Sequence, residues 1–465
     1  MENFKMKKWL KFSLGIFLFL VLLFMTVYYL KSLEPVSKGS SNSVIKPSFN
    51  NDNPLTFLAF IEKLSGHESP KKYLFLFQNS MELRPTGGFI GSFAVVDIDK
   101  GKIVKRETFD TAVFDRDLKE HIEPPYFIKK YLHASGWGIR DSNWSFNFPT
   151  SATQTVKFYK LGSTPTEKID GVIGFTTNVL EYLIGKTGSV KLPMIAGEFT
   201  KDNCLEKLEY EVEMGYNQRG ATKDQRKDIM GDLMEIVLAR LMEMNKLEQA
   251  LMLTELKDLL DKKDIQFFFF DSQLENFVLD NNWGGEIIST KDTDYLAVVD
   301  SNLGARKTDR CLERFLDYYI DTTEVANPQV KLEIQYTNTC TKKDFMTDNY
   351  HSYLRIYTPQ GAEISHTDGF DTGYIDESML TKDNVVVEEV KGKISFGNLA
   401  YVPLGSKKSY SFTYKLSPSV NLADYQLYFQ KQAGMKSPHL KVTLKNTQGE
   451  KILFEGEVDQ DILIP

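Results

Sequence analysis

The apolar pattern changes character three times along the chain. Phe12 to Leu30 is an uncharged run of about 19 residues, enough for one transmembrane helix. Lys5, Lys7, Lys8 and Lys11 precede it, which makes residues 1–11 a basic cytoplasmic tail. The residues that follow, Lys31-Ser-Leu-Glu-Pro, are not the small residues of a cleavage site, so residues 12–30 are read as an uncleaved signal anchor. The expected localisation is the cell membrane, single-pass, with the main body extracytoplasmic. Residues 31–53 are rich in Ser, Asn, Lys and Pro and lack any apolar period; they read as a flexible tether.

From residue 54 to about 325, helical and strand patterns alternate, the mark of an α/β layered domain. Strands are expected at Tyr73–Phe77, Phe89–Ile98, Lys102–Thr108, Gly171–Phe175 and Ile265–Phe270. Helices are expected at Leu55–Leu64, Glu123–Leu132, Ser151–Leu161, Asn178–Ile184, Lys223–Met244 and Leu247–Leu260. The long helix carries Ile229, Leu233, Val237, Leu241 and Met244 at steps of three or four, one apolar face. Gly185-Lys-Thr-Gly188 lacks the phosphate-loop spacing and reads as a helix end.

After Pro328 the period falls to two. Short strands are expected around Leu332–Tyr336, Tyr353–Tyr357, Val385–Val387, Ile394–Leu399, Tyr410–Leu416, Tyr425–Phe429 and Leu440–Leu444. Such a series predicts an immunoglobulin-like β-sandwich over residues 326–465.

Composition narrows the chemistry. A net charge of −7 over 465 residues argues against a nucleic-acid partner, which would require a basic stripe. The six histidines show no H-x-x-x-H spacing, so a zinc hydrolase has no support. Cys204, Cys311 and Cys340 allow at most one bridge, Cys311–Cys340 being the better pair, but the reading favoured is that all three are reduced or buried.

The richest stretch lies between the first two strands: Asn79-Ser-Met-Glu-Leu-Arg-Pro-Thr-Gly-Gly-Phe-Ile-Gly-Ser-Phe93. Gly87 and Gly88 let the backbone approach a ligand, and Arg84 offers a planar fork of donors for phosphate. The plainer reading is a tight loop that needs glycine for its geometry, with Arg84 in a structural ion pair. This stretch resembles the signature of a bacterial membrane-anchored family, the domain of unknown function numbered 4012. Asp170–Phe175, Asp294–Gly304 and Lys307–Asp309 resemble that family's other landmarks.

The order of elements over residues 70–265 also resembles the LytR-CpsA-Psr enzymes, which transfer glycopolymers from a polyprenyl pyrophosphate carrier to the cell wall. Ile169–Ile184 and Asn217–Arg226 carry that resemblance. It implies phosphate binding by Arg84, Arg219 and Arg226 with Gly87 and Gly88, and a metal such as Mg2+ at Asp110. The sequence departs from the enzymes where Pro85–Gly88 carries no carboxylate and Phe109 stands where an arginine precedes Asp110.

Two functions are therefore expected as rivals. One is an envelope protein that binds, and in its stronger form transfers, a polyprenyl-phosphate-linked glycan. The other is a non-catalytic surface protein whose sandwich meets a protein partner. The discriminating feature is whether the arginines converge on one pocket or are each paired to an acid.

Overall fold

A computed structural model describes residues 57–162, 167–371, 375–381 and 383–465. The expected tail, anchor and tether (1–11, 12–30 and 31–53) lie outside the described residues. Among those described, no helix is long and apolar enough to cross a membrane. The fold is mixed α/β with three sheets, and it divides into two compact units.

Of the described residues, the first unit comprises 57–78, then Ile90–Asp117 and Val156–Gly284. Its strands are β1 (Lys71–Asn79), β2 (Phe89–Asp99), β3 (Lys102–Asp110), β4 (Gly171–Thr176) and β5 (Ile265–Phe269), in spatial order β3-β2-β1-β4-β5. β1 and β4 run parallel, with Tyr73 opposite Gly171, whereas β4–β5 and β2–β3 are antiparallel. All six residues of β4 are buried, as a central strand covered on both faces must be. On one side Phe60 of the helix Phe57–Leu64 stacks on Phe277 of the helix Ser272–Asp280, with ring centres 4.5 Å apart. That second helix is capped by Asp271, whose carboxylate accepts the Gln273 and Leu274 amides.

The helices Asn178–Thr187, Cys204–Glu213 and Asp228–Glu243 build a second core cluster of the same unit. Ile229, Leu233, Val237 and Leu241 are buried in it, matching the expected apolar face. Asn178 is the first residue of its helix, after Thr177 at the N-cap, and its side-chain amide donates to Asp264. Gly188 ends this helix at φ +82°, which answers the Gly185–Gly188 reading. Cys204 is a buried thiol, pushed up to about 12 by burial and therefore unreactive.

The second unit comprises Asn79–Phe89, Leu118–Thr155 and Gly285–Pro465. Its strands are β6 (Asp294–Asn302), β7 (Leu312–Asp321), β8 (Gln329–Asn338), β9 (Tyr350–Pro359), β10 (Glu363–Asp368), β11 (Val386–Val390), β12 (Lys393–Val402), β13 (Lys407–Lys415), β14 (Leu427–Phe429), β15 (His439–Asn446), β16 (Gly449–Glu457) and β17 (Ile462–Ile464). They form two sheets of six, β10-β13-β8-β7-β15-β16 and β11-β12-β9-β6-β14-β17. Leu316, Ile334 and Phe412 from one sheet share a core with Leu296, Leu354 and Phe396 from the other, so the two pack face to face.

The sandwich is larger than the seven-stranded one expected, with six strands in each sheet, β14 parallel to β6 and β15 parallel to β7. β6 and most of β7, placed before residue 326 in the expected α/β domain, belong to the sandwich sheets. The physical reason is coverage. All nine residues of β6 are buried, because Phe146 of the 118–155 stretch lies with Tyr295, Ala297 and Val299 on its outer face. A strand buried on both faces shows no alternation and reads like one from an α/β sheet.

Cys311 and Cys340 form a disulfide at the open end of the β7–β8 hairpin, beside the Leu312–Asn338 pair, which corrects the expectation of reduced thiols. The link closes a 29-residue separation. Replacing both cysteines with serine is expected to lower stability by about 2–4 kcal/mol, through a freer unfolded chain. Urea denaturation of oxidised wild type against the double variant measures this, and equal midpoints would refute it.

Candidate functional site

Arg84 lies in the second unit and is 1% exposed. Its Nε donates to Asp141 Oδ1 at 3.1 Å and its Nη2 to Glu82 Oε1 at 3.2 Å. Its Nη1 donates to the Leu83 and Asn302 carbonyls at 3.1 and 2.6 Å. All three guanidinium nitrogens are thus engaged. Burial opposes the charge, but Asp141 and Glu82 hold the arginine above its ordinary value.

The surrounding segments meet in the same network. Leu83 N–H donates to Asp309 Oδ2 at 2.9 Å, the Asp309 amide to the Met81 carbonyl, and the Asn302 amide to the Leu83 carbonyl. Arg314, also buried, bridges Asp300 (Nε to Oδ2, 2.8 Å) and Asp309 (Nη2 to Oδ1, 2.9 Å). Tyr336 and Ser352 donate to Asp300, and Tyr350 donates to Asp309. Burial pushes the Asp309 carboxyl up, against the pull of Arg314. The three stretches 79–88, 294–304 and 307–309 are therefore neighbours around one buried ionic core.

Gly87 and Gly88 serve that packing. Gly88 has φ +153°, and a Cβ there would stand 2.2 Å from the Asn79 carbonyl oxygen. The Gly87 carbonyl oxygen lies 2.1 Å from where a Cβ on Gly434 would be. Chain approaches chain here, so a phosphate at Arg84, Gly87 and Gly88 would have to displace two buried carboxylates and a backbone segment.

Arg219, Arg226 and Asp110 lie in the first unit. Arg219 Nη1 donates to the Glu211 carboxylate and carbonyl, and Arg226 Nη1 donates to both oxygens of Glu213 at 2.7 Å. Asp110 caps the helix Thr111–Arg116 through the Ala112 amide and pairs with Lys227 at 2.5 Å. Lys227 also donates to the Gly91 carbonyl. Burial opposes ionisation of Asp110, yet Lys227, the Ala112 amide and Arg226 hold its carboxyl below the usual range. A cation at Asp110 would compete with Lys227 for that carboxylate. Among the described residues, no group of three or more His, Cys, Asp or Glu could hold a metal.

Sequence reasoning missed Glu82, Asp141, Asp300, Asn302, Asp309 and Arg314. The available signal was polar residues within otherwise apolar stretches, as in Asp294-Tyr-Leu-Ala-Val-Val-Asp-Ser-Asn302.

Residues 68–212 match the model of a protein family described as a protein of unknown function, DUF4012, in agreement with the resemblance of the 79–93 stretch. No curated protein matches the chain. Among solved structures the chain is similar to one from Legionella pneumophila described as nutrient-binding, at 6% identity, over 28% of this chain and 50% of that one. The TM-score is 0.17, and a likeness of that degree carries no argument about fold or function.

Proposed function

We propose that the chain is a membrane-anchored envelope protein without catalytic turnover, whose sandwich unit is a rigid body for contact with a protein partner. One observation carries this reading: each of the three arginines that the resemblance assigns to a pyrophosphate is already committed to a carboxylate, Arg84 to Glu82 and Asp141, Arg219 to Glu211 and Arg226 to Glu213. Clustered cationic ligands awaiting a diphosphate would instead stand without internal counter-charges. The Cys311–Cys340 disulfide supports an oxidising compartment outside the cytoplasm.

A second reading retains carrier binding and phosphoryl transfer of the LytR-CpsA-Psr kind, but confines it to the first unit. The observation in its favour is the partial exposure of Arg226, Lys227 and Asp110, whose side chains are 24–28% accessible. Mass spectrometry of lipids copurifying with the full-length protein in mild detergent decides between them. No polyprenyl phosphate above the level found on an unrelated single-span protein is the result expected. Specific enrichment of such a carrier would overturn the proposal, and its loss from a folded Arg219→Ala/Arg226→Ala variant would locate the site.

A further inference from the structure

Within the sandwich, Asp294 is fully buried at the start of β6, the strand whose other end carries Asp300 and Asn302 of the Arg84 network. Its Oδ2 accepts hydrogen bonds from Tyr425 at 2.6 Å and Tyr318 at 2.8 Å, and its Oδ1 accepts the Tyr295 amide at 2.7 Å. The Tyr318 hydroxyl also lies 2.8 Å from that of Tyr414. A hydroxyl has one hydrogen, and Tyr318 spends its own on Asp294, so Tyr414 is the donor to Tyr318. Three hydroxyl hydrogens thus run toward a carboxylate that can only accept.

The groups facing this carboxylate are Tyr318 from β7, Tyr414 behind it from β13, Tyr425 from the loop before β14, and Lys393 from β12. Lys393 donates to Thr290 and sits 4.0 Å over the Tyr295 ring. Burial pushes the tyrosines far up, which leaves the carboxylate as the group that titrates in mild acid. Burial raises it to about 6, against the hydrogen bonds from Tyr425 and Tyr318. Burial likewise lowers Lys393 to about 8.

We propose that Asp294, Tyr318, Tyr414 and Tyr425 form a proton-operated latch on loop 416–426 of the sandwich. One proton taken from solvent binds Oδ2, which then becomes a donor. One tyrosine must turn its own hydrogen away and accept instead. Tyr414 is fully buried and its hydroxyl bonds to Tyr318, whereas Tyr425 is 7% exposed and sits in the loop, so Tyr425 is the one that turns. Its bond to Asp294 changes from charge-assisted to neutral, about half as strong. Other ties of the loop remain, among them Asn421 N–H to the Asp292 carbonyl, Asp294 N–H to the Gln426 carbonyl, Leu416 N–H to the Pro328 carbonyl and Ser417 Oγ to the Gln360 carbonyl.

The sign is separable from global stability. A carboxyl raised in the folded state favours folding when protonated, so Asp294 by itself adds stability as pH falls through about 6, even while the loop tie weakens. Infrared difference spectra of the full-length protein, stepped from about pH 7.5 to about pH 5, read the carboxylic acid directly. A protonated-carboxyl band should titrate near 6, vanish in Asp294→Asn, and shift its midpoint up by about one unit in Tyr425→Phe, which removes a donor to the ionised form. Hydrogen exchange over 416–426, corrected for intrinsic rates, should speed up over the same interval. A band that survives Asp294→Asn, a midpoint indifferent to Tyr425→Phe, or unchanged loop exchange each overturns the latch. Should Asp294→Asn fail to fold, the Tyr425→Phe midpoint and the exchange rates decide alone.

Discussion

Replacing Arg314 with leucine is expected to cost about 5 kcal/mol and to leave the sandwich unit largely unfolded, because removing one partner of a buried pair strands the others. Asp300 is fully buried and Asp309 is 3% exposed, and both lose their cation at once. Burial works against the Arg314 charge, yet Asp300, with Tyr350 and Asp309, holds it well above its ordinary value. Hydrogen bonds from Tyr336, Ser352 and Tyr350 remain to those carboxylates but supply no charge. A domain is ordinarily stable by about 5–15 kcal/mol, so a loss of this size is between about a third and all of the total. Urea denaturation followed by circular dichroism measures it. A midpoint within error of wild type would mean that the network contributes nothing to the fold.

Replacing Arg84 with methionine is the second large effect, expected at about 3–5 kcal/mol. The variant deprives the buried Glu82 and Asp141 of the cation they share, although Lys307 stays 3.6 Å from Glu82. It also frees the Asn302 carbonyl, the acceptor of the shortest Arg84 bond. Adding Glu82→Gln and Asp141→Asn to Arg84→Met should recover part of the loss, since replacing a whole buried ion group is far cheaper than breaking it. A ligand-binding arginine behaves otherwise: its single variant keeps wild-type stability and loses only the ligand. Denaturation midpoints of the wild type, the single and the triple variant therefore separate the two roles of Arg84.

Much of the fold was legible in the pattern. The strands at Tyr73–Phe77, Phe89–Ile98 and Ile265–Phe270 appear within a residue or two at β1, β2 and β5. All seven short strands expected after Pro328 are present as β8, β9 and β11–β15. Period two survives in β8 because one face looks into the core and the other toward solvent. The strands missed were β6, β7, β10, β16 and β17. β10 and β16 are mostly exposed edges, β17 is three residues long and β6 is covered on both faces, so none of these shows that contrast; β7 does alternate and was missed all the same.

The candidate site was legible only as chemistry. A planar cation beside two glycines announces a packed polar contact or an anion site, and residue type alone does not choose between them. The partners that decide it lie 57 and 218 residues away, at Asp141 and Asn302. Nothing in the 79–93 stretch points to either one.

The sequence alone determined where the chain alternates in period two and where in three to four, because burial on one face leaves a local periodic record. It also determined that Arg84 needs acceptors, since a guanidinium always carries its charge. Tertiary structure alone decided that those acceptors are buried carboxylates, that the 79–89 stretch belongs to the sandwich unit, and that Asp294 lies among three tyrosines. The reason is that desolvation and pairing depend on which distant segments pack together, and no local period encodes that choice.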